Sequence, residues 1–458
     1  MKLEPSWWRA WREDNLLQGV IRNTGYLFSS NTISMVLASL QGILAAVLLG
    51  PAAYGALGVI TQYASTVNRL LSFRMGEVVI KYAGQHIQMG RRQEAAAVIK
   101  LAALAEALTS VVAYGLLALT APLAARWIVK DVSTTSIILL YGLALLANLV
   151  TETSTAVLQI GGHFRSQALL TLMQNVLTAA WIGVAYLTHG GLYQVLMAYL
   201  AGKLLFGVGI ALAAGRWMTP MLGPGWQRAP LSLIQGKRKL LTFAVSTNLS
   251  GTINLVVRDS EVLWAGFLFT TREAGYYKFA QAMMNIILMP ITPFINTTFP
   301  EISRQVAARS WAALRRLLRR TSLVAAVWTA ACAAGLLLLG PWVLGWLKDG
   351  AYLPSLPGML VLLAGFGTAN VLFWNRPLLL SFGMPNYPLG VTATAGALKT
   401  VLMLTVARPF GYVAQAVLLS GYFIVSVGLI VRRGLVELRR AEQEDAAAGL
   451  PAAGGEPA

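Results

Sequence analysis

Arg258, Asp259 and Glu261 fall inside a stretch that is otherwise apolar and long enough to cross a lipid bilayer. A charge at the centre of such a helix costs about 2.5–3.5 kcal/mol on insertion scales, so each one needs a partner or a task. Arg258 and Glu261 are three positions apart on one helical face and can pair, whereas Asp259 points roughly 100° away. Two readings of the cluster stay open. It is either self-neutralised and steadies packing, or its face lines a wet cavity where the guanidinium holds an anionic group through charge-assisted bonds. In the second case Asp259 or Glu261 takes up a coupling proton or sodium ion, and no other cofactor is expected.

Other polar residues interrupt apolar stretches in the same way. The cations are Arg69, Lys203, Arg376 and Lys399. Arg69 and Arg376 lie nearer a membrane surface, where a long side chain can snorkel to water; Lys203 and Lys399 lie closer to mid-span, where it cannot. Pro377 follows Arg376, and a proline inside a span frees a backbone carbonyl and permits a kink. The acids are Glu106 and Glu152, the latter near Asn148; each either pairs with a basic residue of its own half or couples an ion. Asn31 and Asn248 suit hydrogen bonds between helices. No Walker-type glycine loop, His-Glu-x-x-His pair, Cys-x-x-Cys pair or nucleophile elbow is present. Cys332 is the single cysteine, and the three histidines are scattered over connecting segments. Neither an enzyme nor a metal centre is expected.

The elements that position these residues are membrane-spanning helices. Hydrophobic residues make up 56% of the 458 positions and charged residues 12%, about half the charged share of ordinary soluble domains. The apolar residues come in blocks of about 20, the length that crosses the hydrocarbon core. The pattern is an all-α integral membrane protein of about twelve spans. The expected plan is an amphipathic arm at 1–23, a six-helix lobe at 24–214, a basic linker at 215–239, a second six-helix lobe at 240–433 and a disordered tail at 434–458. Segments between spans alternate between rich and poor in Lys and Arg, which places both termini in the cytoplasm. The net charge of +18 is thus an orientation signal and a contact with anionic lipid headgroups, so nucleic acid is not an expected partner.

The two lobes repeat. SSNTIS at 29–34 is echoed by STNLSG at 246–251, Gly55 by Gly275, Pro122 and Trp127 by Pro341 and Trp346, and Gly191 by Gly411. The offsets are all close to half the chain. An even number of spans separates the copies, so the repeats are parallel and imply two lobes about an axis along the membrane normal, with a central cavity.

The segments LLGPAAYGALGVI at 48–60, RMGEVVIKYAG at 74–84, FLFTTREAGYYKFAQA at 267–282 and FPEISRQ at 299–305 resemble one family. It is the polysaccharide transporter branch, with Wzx-type flippases, of the multidrug/oligosaccharidyl-lipid/polysaccharide exporter superfamily. The resemblance implies a MATE-like fold in a bacterial inner membrane. It also implies movement of a polyprenyl-diphosphate-linked oligosaccharide, such as an O-antigen, capsule or exopolysaccharide unit, to the outer leaflet. Polysaccharide assembly proteins are implied partners. On that reading Arg258, Lys399, Lys203, Arg376 and Arg69 bind substrate, and Asp259, Glu261 and Glu152 couple the ion. The alternative within the superfamily is an ion-coupled exporter of drugs or small molecules. Pro51 and Gly55 are read as a helix stop and a tight reversal.

Overall fold

The computed structural model describes residues 15–71, 75–234 and 255–447. These residues are helical almost throughout, and none is in a strand. Backbone groups in lipid must be satisfied within their own segment, and a helix does this without an edge. The long helices are α1 (Asn15–Leu71), α2 (Arg92–Ala124), α3 (Thr135–Ala147), α4 (Thr151–Ile160), α5 (Phe164–Leu187) and α6 (Leu192–Leu222). They are followed by α7 (Glu261–Leu268), α8 (Thr271–Leu288), α9 (Thr292–Ala307), α10 (Trp311–Trp346), α11 (Leu356–Val371), α12 (Asn375–Ser381), α13 (Asn386–Val406) and α14 (Gly411–Ala447).

Among the described residues, nine helices are long and apolar enough to cross a membrane. They account for ten of the expected spans, because α1 holds two, broken at Gly50 with φ 70° and ψ 171°. The seventh expected span lies partly in 235–254, outside the described residues. The expected eighth span, 274–297, runs through α8, a turn at Met289–Ile291 and the start of α9; α8 carries Arg272, Glu273 and Lys278 and is not among the nine. Large apolar side chains face outward along the spans, as with Leu338, 78% exposed, which is how a helix presents itself to lipid.

The chain divides into two compact units. One holds the residues up to Leu49 together with Ile60–Leu255, and the other holds Gly50–Val59 together with Val256 onward. The short Gly50–Val59 piece, expected within the first lobe, therefore belongs to the second unit. Gly55 and Gly275 explain it. A Cβ on Gly55 would overlap the Thr271 carbonyl oxygen, and one on Gly275 would overlap the Pro51 carbonyl oxygen, so two backbones touch where only glycine fits. The reversal assigned to Gly55 is made instead by Gly50, and Gly55 is a packing position.

In the first unit, α6 continues to Leu222, and 226–234 folds back onto the core formed by Val98, Ile99, Ala102, Val157, Ile210 and Ala214. Lys100 Nζ donates to the carbonyl of Gln227 at 3.2 Å, and Ala229 and Ile234 are buried. Much of the expected linker is thus part of the folded unit. In the second unit, α14 runs through Ala447, so the tail expected to be disordered from Gly434 is helical that far. Leu438 is buried, Arg309 pairs with Asp445 and Arg315 with Glu442, and Trp311 Nε1 donates to Asp445 Oδ2 at 2.8 Å. The ends 1–14 and 448–458, and with them Trp7, Trp8 and Trp11, lie outside the described residues, as does Asn248.

Candidate functional site

Each unit carries a polar centre inside its spans. In the second unit the centre is Glu261, the first residue of α7. The π-helical turn Leu255–Asp259 and Ser260 precede it, and this break takes Arg258 and Glu261 off a common helical face. The pairing of Arg258 with Glu261, one of the two readings open from the sequence, is not made. Glu261, 1% exposed, pairs instead with Lys399 of α13, 3% exposed. Tyr277 of α8 donates its hydroxyl to Glu261 Oε2 at 2.9 Å. Gln415 of α14 donates its amide to the same oxygen at 2.9 Å and to the Glu261 carbonyl at 2.7 Å. Four helices thus meet on one carboxylate. A buried ion pair is tolerated when its remaining lone pairs are also satisfied, and here both oxygens are. Lys399 is consequently engaged by protein, and its ammonium reaches an anionic cargo only if this pair opens.

Arg258 is exposed, with its guanidinium 5.6 Å from the centroid of the Phe423 ring, a cation–π placement that leaves the donor edge available. Asp259 is half-buried beside it. Arg376 is exposed in the first turn of α12. Sequence reasoning passed over Lys278, which stands with its Nζ 4.2 Å from the centroid of the Tyr54 ring. Its stem occupies the space left by Gly58. Tyr277 and Lys278 lie in FLFTTREAGYYKFAQA, which carries the family resemblance; apolar flanks around a Tyr-Lys pair were the available signal.

In the first unit, Lys203 of α6 is half-buried and has no hydrogen-bond or ion-pair partner among the described residues. Arg69, at the end of α1, lies close enough to repel its charge. Three residues before Arg69, the Thr66 hydroxyl is buried without a hydrogen-bond partner. The expected fourth span is two helices, α3 and α4, separated at Asn148–Val150. Glu106 of α2, 2% exposed, accepts the N–H of Glu152 at 2.8 Å and that of Thr153 at 3.0 Å. The carboxylate thereby caps the start of α4. Glu152 itself is exposed, so the buried acid at this break is Glu106. The expected tenth span is broken in the same manner between α11 and α12. A further cavity of about 710 Å³ between α10 and α11 is lined by Ala326, Ala330, Leu337, Leu363 and Val371. It offers hardly any polar contact.

A sequence model of the family described as polysaccharide biosynthesis protein matches residues 43–351. The chain belongs to that family. This polysaccharide biosynthesis protein is 22% identical to the inner membrane protein YghQ of Escherichia coli (strain K12) over 300 residues, 65% of this chain and 83% of that one. Its fold is similar to the inward-facing conformation of a multidrug resistance MATE family transporter of the MOP superfamily, with a TM-score of 0.67, 12% identity and coverage of 90% of this chain and 96% of that one. It is equally similar to the lipid II flippase MurJ in an inward closed conformation, at a TM-score of 0.67, 12% identity and 92% of each chain. At such identities the likeness concerns the fold, which is the MATE-like all-helical membrane fold raised by the motifs.

Proposed function

We propose that this polysaccharide biosynthesis protein is a flippase. It moves a polyprenyl-diphosphate-linked oligosaccharide across the bacterial plasma membrane by alternating access, without chemical change to the cargo. Lys203 carries the reading. It is a lysine within a membrane-spanning helix, without an acidic partner among the described residues and with Arg69 close by. Arg69 is exposed and Lys203 half-buried, so like charge near Lys203 favours an anionic group there, and a diphosphate can meet the lysine through charge-assisted bonds. Arg258 and Arg376, exposed on the second unit, extend the same chemistry, and the sugar would pass with its diphosphate while the prenyl chain stays in lipid. Both termini lie in the cytoplasm on this reading, because the basic segments carry the positive-inside signature.

Deleting the gene tests the cargo. The expected result is loss of a surface glycan together with accumulation of its lipid-linked precursor on the cytoplasmic side. Unchanged glycan with a gain in drug sensitivity would assign the protein to small-molecule export instead. Lys203→Glu should abolish glycan display while the protein remains in the membrane at its normal amount. Full display in that variant would remove Lys203 from the site.

A further inference from the structure

Glu106 is a carboxylate deep in the first unit with no basic side chain within ion-pair distance among the described residues. Charged groups on the segments packed against α2 include Glu77 and Lys81, Glu152 across the break, Lys203 on α6 and His86, which pairs with Glu94 at the start of α2. None of these side chains bonds to the Glu106 carboxylate. Its partners are two backbone N–H groups of α4, a ten-residue helix that begins at a break in its span. Beside them, the Thr153 hydroxyl is buried without a geometrically sound hydrogen bond of its own.

We infer that Glu106 is a proton-operated latch on α4, and that the ion coupled to transport is a proton bound here. The inference rests on reading the chain as an alternating-access transporter. In its charged form the carboxylate holds both N–H groups and neutralises the positive end of the α4 dipole. Proton addition forms an O–H bond on one oxygen, removes the negative charge and turns that oxygen from acceptor to donor. The new donor needs an acceptor, and the Thr153 hydroxyl oxygen offers one. One N–H of α4 is then released and the other is held by a neutral carbonyl, so the first turn of α4 is freed to shift about Asn148–Val150. Loss of the proton restores the cap. A sodium ion would not act equivalently, because it would have to displace two N–H donors and sit at the positive end of a helix.

Amide hydrogen exchange on the full chain in lipid nanodiscs tests this without any cargo. The readout is the protection of residues 148–156, corrected for the intrinsic pH dependence of exchange. The range from about pH 4 to about pH 9 brackets the titration of a buried carboxylate. Acidification should lower protection there by roughly tenfold or more, the scale set by weakening a charged hydrogen bond, and leave α5 unchanged. Glu106→Gln should show the acid value at every pH, Glu106→Asp should regain a pH response, and replacing sodium by choline should change nothing. Protection in the wild type that is independent of pH would overturn the latch. So would an unaltered pH response in Glu106→Gln, or protection that follows sodium. Any of these leaves the flippase reading standing, whereas intact glycan after gene deletion removes that reading whatever Glu106 does.

Discussion

At the scale of single residues, Glu261 and Lys399 show how a buried charge changes meaning once its partner is known. Taken alone, Lys399 is a mid-span cation suited to an anionic cargo; in the structure it is held by Glu261, with Tyr277 and Gln415 completing the carboxylate. Removing one member leaves the other charged and buried. Glu261→Gln or Lys399→Met should therefore each cost about 3–5 kcal/mol, read as a lowered unfolding temperature in detergent. The double variant should recover much of that loss, because two neutral groups need no counter-charge. Lys399→Glu, which places two carboxylates together, should reduce the amount of protein in the membrane. The partnership was not legible in the sequence, where the two residues stand 138 positions apart. Pairing of Arg258 with Glu261 is one of two readings that a continuous helix leaves open, and the π turn at Leu255–Asp259, which removes it, leaves no mark in the residue types.

At the scale of elements, the breaks and close approaches decide what the spans can do. The hydrophobic blocks gave away most of the spans, because the bilayer imposes a length and apolar residues must fill it. The interruptions were less visible. The fourth span breaks at Asn148–Val150 without a proline or a glycine; the N–H groups of Thr151 and Ser154 turn to the carbonyls of Asn148 and Val150, and the carboxylate of Glu106 reaches across from α2 to take those of Glu152 and Thr153. The tenth span breaks before α12 and needs less help. Pro377 lacks an N–H to satisfy, and the Asn375 N–H is taken by the carbonyl of Leu372 at 3.0 Å. Close approach is sharper still at Gly275. Gly275→Val should separate α8 from the segment around Pro51, because its Cβ has no free space. Overpacking of this sort costs about 1–3 kcal/mol or more, and the check is the yield and unfolding temperature of the variant beside Ala, the smallest insertion. The end of α14 behaves differently. Its pairs with Arg309 and Arg315 are partly exposed, so each contributes under about 1 kcal/mol. Glu442→Lys should lower stability slightly at low salt and not at all at high salt, and adding Arg315→Glu should restore it.

At the scale of the whole molecule, the proposed topology, with both termini in the cytoplasm, rests on the alternation of basic and neutral segments. A fluorescent protein fused after Ala458 should mature in the cytoplasm and glow, whereas a fusion that stays dark, with full export-dependent phosphatase activity at the same site, would reverse the topology. Family and fold were legible because the segments at 48–60, 74–84, 267–282 and 299–305 resemble one family, and the match over 43–351 takes in all four. Gly55 and Gly275 were legible as repeat partners. Their actual meeting was not, since a repeat shows that two segments are alike and says nothing of whether they touch.

That meeting has a consequence in time. Residues 50–59 leave the ribosome some 220 residues ahead of Gly275, the position they are built to receive. At about 5–20 residues per second, Pro51 and Gly55 wait roughly ten to forty seconds with that face unmatched. The first unit makes its internal contacts without this piece, whereas the second unit has the piece in place long before the rest of it is made. A stall in translation before α8 emerges should leave Gly50–Val59 without the neighbour it fits.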